Sequence, residues 1–87
     1  MYIRFDMQDF FELLQILNIG YYETRHYDGD IGFTEMEYRI CVNGVNIVLL
    51  EPSYKDFVTT ANETSVEILK GLADTHKINY EMKEYYF

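Results

Sequence analysis

The dipeptide Asn43-Gly44 constrains this chain more than any other feature. Both residues tolerate positive φ, and they separate two runs rich in β-branched, aromatic and aliphatic residues, Phe33 to Val42 and Val45 to Glu51. A two-residue type I′ turn at that point matches the natural twist of paired strands and therefore fixes the register. It sets Val42 opposite Val45, Ile40 opposite Ile47 and Tyr38 opposite Leu49, which makes one face of the hairpin apolar. Glu35, Glu37 and Arg39 occupy the other face of the first of these strands. Val45 to Glu51 is apolar on both faces, with Val48 and Leu50 opposing Val45, Ile47 and Leu49, as expected of a central strand.

The flanking segments read as further elements. Phe10, Leu13, Leu14 and Leu17 fall at i, i+3, i+4 and i+7, which predicts a helix from about Met7 to Asn18. Asp6 is its expected N-cap, Phe5 and Phe10 stand at the two positions of a hydrophobic staple, and Gly20 is the expected left-handed stop. Residues 2 to 5 are too few to insist on a leading strand. Tyr21 to Tyr27 is expected to be a strand. After Pro52, Ser53 to Ala61 reads as a connection with room for one helical turn around Tyr54 and Phe57. Thr64-Ser65-Val66-Glu67 has the form of a capping box, opening a helix that ends at His76 and Lys77. Ile78, Tyr80 and Met82 alternate with polar residues and predict a final strand running into Tyr85, Tyr86 and Phe87. The expected order is α-β-β-β-α-β: an α+β fold, residues 1–87 as one domain, with an antiparallel sheet packed against two helices.

Charge limits the classes of function. Fifteen Asp and Glu against seven Lys and Arg give a net charge of -8, which repels phosphate backbones, so direct nucleic-acid binding is disfavoured. The single cysteine, Cys41, excludes an internal disulfide and a multi-cysteine zinc site, and is most simply a small buried residue. Met1 to Asp6 meets an acid where a signal peptide needs an apolar stretch, and no apolar run approaches the roughly 18 residues of a membrane span. A soluble cytoplasmic protein is the expectation, with no membrane contact.

No motif for catalysis or for a cofactor stands out. His26 and His76 are expected on a strand surface and at a helix end, with no shared partner to make a catalytic pair. Asp28-Gly29-Asp30 resembles the start of a calcium loop, but Arg39 stands where the bidentate glutamate belongs, so a hairpin turn is the better reading. Neither a metal site, a cofactor nor an enzyme activity is expected.

What remains is a surface for another protein. Nine tyrosines and six phenylalanines exceed the needs of so small a core, and tyrosine suits interfaces because it covers area at low entropic cost. Glu35 and Glu37 project about 6.8 Å apart on one strand face, roughly twice the phosphate spacing of about 3.4 Å along a DNA strand. With Tyr27 paired to Phe33, an unbroken register would put Glu23 opposite Glu37. The candidate partner-binding residues are Glu23, Asp28, Asp30, Glu35 and Glu37 as phosphate mimics, with Tyr21, Tyr27 and Tyr54 beside them.

Small size, strong acidity, abundant tyrosine and a helix, three-strand, helix order resemble the small phage-encoded inhibitors of bacterial defence, anti-CRISPR proteins among them. The resemblance implies a stoichiometric inhibitor in the host cytoplasm. Its acids would occupy the basic nucleic-acid channel of a CRISPR effector or nuclease. The layout is also similar to a double-stranded-RNA-binding domain, but the helix from Glu63 to Lys77 lacks the basic cluster that would grip phosphate. Two alternatives stay open. One is an immunity protein that neutralises a basic nuclease toxin; the other is a homo-oligomeric structural or adaptor protein pairing strand edges through Tyr85, Tyr86 and Phe87. A homodimer is compatible with either of the inhibitor readings.

Overall fold

The Asn43-Gly44 turn forms as its chemistry dictates, with φ of 50° at Asn43 and 80° at Gly44. It joins β3 (Gly32–Val42) to β4 (Val45–Pro52), and the register pairs Val42 with Val45, Ile40 with Ile47 and Tyr38 with Leu49. The structure, a computed structural model, describes residues 1–30, 32–52 and 55–86, with residues 28 and 32–34 described by their backbone. Tyr54 and Phe87 lie outside the described residues, as does the side chain of Asp28.

Among the described residues six strands form one antiparallel sheet in the order β2-β3-β4-β5-β1-β6, with β1 at Tyr2–Asp6, β2 at Tyr22–Asp28, β5 at Phe57–Thr60 and β6 at Glu81–Lys83. Two helices, α1 (Met7–Leu17) and α2 (Glu63–His76), complete the α+β fold. Two strands go beyond the sequence expectation. β1 is real and central, paired on one side with β5 and on the other with β6. β5 replaces the helical turn expected around Phe57; Phe-Val-Thr-Thr is β-prone but only four residues long, too short for alternation to show.

Helix ends also differ from expectation. Asp6 makes no side-chain cap; the first N–H of α1, that of Met7, instead donates to the Asp56 carbonyl at 3.1 Å. Asn18 supplies the left-handed stop (φ 54°) in place of Gly20, a role its short polar side chain permits. α2 starts earlier than the capping box suggested: the Asn62 carboxamide oxygen accepts from both the Ser65 N–H and the Ser65 hydroxyl, each at 3.0 Å.

The core lies on one side of the sheet. Ile3, Phe5, Tyr38, Ile40, Ile47, Leu49 and Val58 meet Phe10, Leu13 and Leu14 of α1 and Leu69 and Ala73 of α2, all buried. The Phe10 and Phe11 rings pack edge-on to Tyr38 at 5.8 and 6.2 Å. The helices leave the opposite side of the sheet open, and Arg39, Cys41 and Val48 are exposed there. Cys41 is thus a surface thiol across from Asn46 and not the buried residue expected, because it alternates with the core residues Ile40 and Val42.

Candidate functional site

β2 is an edge strand hydrogen-bonded to β3 alone, and its described side chains are exposed apart from a half-buried His26. A bulge between His26 and Tyr27 decides which acids share a face. Tyr27 pairs with Phe33 as expected, yet His26 pairs with Glu35, so β3 holds one extra residue between those pairs. Glu23 consequently sits opposite Tyr38, and Thr24 opposite Glu37. A one-residue shift turns a side chain to the other face, so Glu23 points to the helix side and does not face Glu37.

The expected acids therefore divide in two. Glu35 and Glu37 share the open face. The Arg39 guanidinium donates to Glu37, and His26 Nε2 lies 3.4 Å from the same carboxylate. The Arg39 hydrogen bond comes first in holding the Glu37 carboxyl below the usual range, against the opposing effect of burial and with lesser help from His26. Glu35 accepts a hydrogen bond from the Tyr86 hydroxyl at 2.9 Å. A neutral phenol orients this carboxylate without cancelling its charge. Burial, and then the Glu35 carboxylate, push the Tyr86 phenol up to about 12, so it remains a donor at neutral pH.

The Tyr86 ring also stacks on Tyr2 at 5.9 Å. The C-terminal segment thus bridges β1 and β3, crossing the open side of β5 and β4 that lie between them. Tyr86 is engaged within the molecule and does not extend the sheet edge, whereas Tyr85 is 61% exposed. Further along this face, Lys83 and then Arg4, at 3.0 and 3.3 Å, hold the Glu81 carboxyl down, and Arg4 lies over the Phe57 ring.

Glu23 joins a different group on the helix side. Glu51 accepts from the Tyr38 hydroxyl at 3.2 Å, and its carboxyl is pushed up by burial first and then by the charges of Asp56 and Glu23. Tyr38 is likewise pushed up, by burial and by Glu51. Glu51 and Asp56 were not among the expected site residues; only the three-dimensional approach of β4, the β4–β5 connection and β2 brings them to Glu23. Tyr21 packs on Phe11 and Tyr38 at 5.4 and 5.8 Å, so it is a half-anchored rim of the core. Tyr27, 65% exposed, sets its hydroxyl beside the Arg25 guanidinium. Asp30 is exposed in the β2–β3 turn.

An open groove of about 770 Å³ runs past Tyr21, Tyr22, Arg39, Cys41, Asn46 and Val48. His26 and Glu37 line neither this groove nor the larger one along α1. Among the described residues, no three His, Cys, Asp or Glu side chains converge as metal ligands, and no helix is long and apolar enough to cross a membrane. Compared with known protein families, curated proteins and solved structures, the chain shows no significant match.

Proposed function

We propose that this chain is an acidic protein-binding inhibitor that docks on the basic nucleic-acid-binding surface of another protein and blocks its access to DNA or RNA. The observation that carries the reading is Glu35. It stands on the side of the sheet that the helices leave uncovered, and its charge is aimed by Tyr86 without being neutralised. Asp30 at the β2–β3 turn and the overall charge of -8 extend the same field. Glu37 has a lesser role than Glu35, because Arg39 and His26 already engage it. The resemblance to phage-encoded anti-defence inhibitors supplies the narrower version, in which the partner is a bacterial CRISPR effector or nuclease. The exposed edge of β2 favours a second property, self-association, developed below.

A pull-down from host cells, washed at low and at high salt, tests the proposal when combined with nucleic-acid competition. The expected result is a basic nucleic-acid-handling protein retained at low salt and released by added DNA or RNA. Charge reversal Glu35→Lys abolishes its capture while leaving the fold intact. A retained partner indifferent to both nucleic acid and Glu35→Lys would refute the reading.

A further inference from the structure

We infer that β2 pairs with β2 of a second copy, in an antiparallel register centred on Thr24, to form one continuous twelve-stranded sheet. The backbone supplies the first part of the argument. A two-residue hairpin closes on a hydrogen-bonded pair, here Val42 and Val45, and the ladder alternates from there. Ile40, Tyr38 and Met36 accordingly bond to β4, while Arg39, Glu37 and Glu35 bond to β2. On β2 this uses the backbone groups of Tyr22, Thr24 and His26, so those of Glu23 and Arg25 point away from the sheet. They form a ready template for another strand.

Charge then selects the occupant and the register. A two-fold axis perpendicular to the sheet keeps faces matched only when it passes through a residue of β2. An axis through Arg25 sets Arg25 against its own copy, and one through Glu23 sets Glu23 against its own copy, both destabilising. An axis through His26 leaves Glu23 beyond the end of the paired strand. With the axis through Thr24, Glu23 meets the copy's Arg25 and Arg25 meets the copy's Glu23, both on the helix side and both hydrogen-bonded pairs. Thr24 then faces Thr24, Tyr22 faces His26, and five residues pair on each strand. Charged residues ordinarily protect an edge strand from such pairing. Opposite charges two residues apart instead make this edge complementary to itself. The opposite edge, β6, is only three residues long. This inference holds whether or not a basic partner exists; the dimer leaves the open face free, with the two Glu35 side chains on β3 strands that the paired β2 strands separate.

Sedimentation velocity from micromolar to millimolar concentration, on the full chain, tests it. The expected result is a concentration-dependent dimer. Glu23→Arg alone and Arg25→Glu alone each create two like-charge pairs and weaken the dimer roughly ten-fold or more. Mixing the two single variants makes every cross-strand pair opposite in charge again, so a heterodimer forms that native mass spectrometry identifies. The double swap Glu23→Arg/Arg25→Glu also restores the dimer, and it serves alone should either single variant fail to fold. Hydrogen exchange adds a second readout: the outward amides of Glu23 and Arg25 exchange fast in dilute solution and slow on concentration. A chain monomeric at millimolar concentration, or a dimer indifferent to the swaps, overturns the inference.

Discussion

The two ends of the sheet are stabilised differently. At one end β1 sits under both helices and β5 under α1, and Ile3, Phe5 and Val58 are inaccessible to solvent. At the other, β2 is held by β3 alone, with Tyr22 81% and Tyr27 65% exposed. Even the open side differs. Thr59 of β5 is buried there and its hydroxyl donates to the Ile3 carbonyl at 2.9 Å, whereas Val48 of β4 is exposed. Stability is concentrated in the first region, and the surface available to partners in the second. An edge strand whose described side chains are exposed, apart from a half-buried His26, is free to carry recognition chemistry because little of the core depends on them.

Substitution in the covered region has the largest expected effect. Phe10→Ala or Leu69→Ala removes a fully buried side chain and costs about 3–5 kcal/mol, a large part of the total stability of a domain this small. Tyr22→Ala on the exposed strand is expected to stay within about 0.5 kcal/mol. Urea unfolding followed by circular dichroism checks both, and equal losses at the two sites would abolish the distinction between the regions.

The next test concerns where α2 begins. Asn62→Ala removes the acceptor that satisfies two donors of Ser65 and costs about 1 kcal/mol, while Thr64→Ala, already inside the helix, costs far less. Thermal melts of the two variants rank them. The reverse ranking would restore the capping box expected from the sequence. Asn62 and Thr64 are both good caps, and local chemistry alone does not choose between them. In the folded chain Asn62 takes the role, and Ser65, whose two donors it accepts, is buried.

The same division explains what was legible in the sequence. The β3–β4 hairpin was readable to the residue, since turn chemistry and alternation agree there. The α1 face was readable from its period. β1 and β5 were not, because strands of five and four residues acquire their identity only from each other: Phe5 pairs with Val58 across the sheet. Of the candidate site, Glu35 and Glu37 were placed correctly on one face, since no irregularity separates them. Glu23 was misplaced because a single extra residue in β3 at the bulge reverses the facing of everything beyond it. Nor does any sequence period link Glu51 or Asp56 to Glu23; that group exists only once the sheet has formed.

Acidity gives a pH test that sharpens the comparison. Glu51 is pushed up in the folded chain, so the stability tied to its protonated form is full below the ordinary glutamate value and is lost as pH rises through the folded value. Glu37 and Glu81 are held down, so their contribution is full above the ordinary value and fades as pH falls through the lowered one. Glu51→Gln therefore raises the melting temperature at pH 7 and gives no gain below about pH 4, where Glu51 is protonated anyway. A gain that persists undiminished in acid would show that charge at Glu51 is not the cause.

The last test concerns Tyr86, and it separates a strap from an ornament. Tyr86→Phe keeps the stacking surface against Tyr2 and deletes only the donor to Glu35. Because that bond is part-buried and charge-assisted, its loss costs on the order of 1 kcal/mol or less, while Tyr86→Ala removes the ring as well and costs more. If the C-terminal segment secures the covered region, Tyr86→Ala also speeds hydrogen exchange at the β5 amides beneath its path, and Tyr86→Phe does not. If exchange at β5 is unchanged in both, the segment serves only to orient Glu35, and the covered region owes its stability to the helices alone.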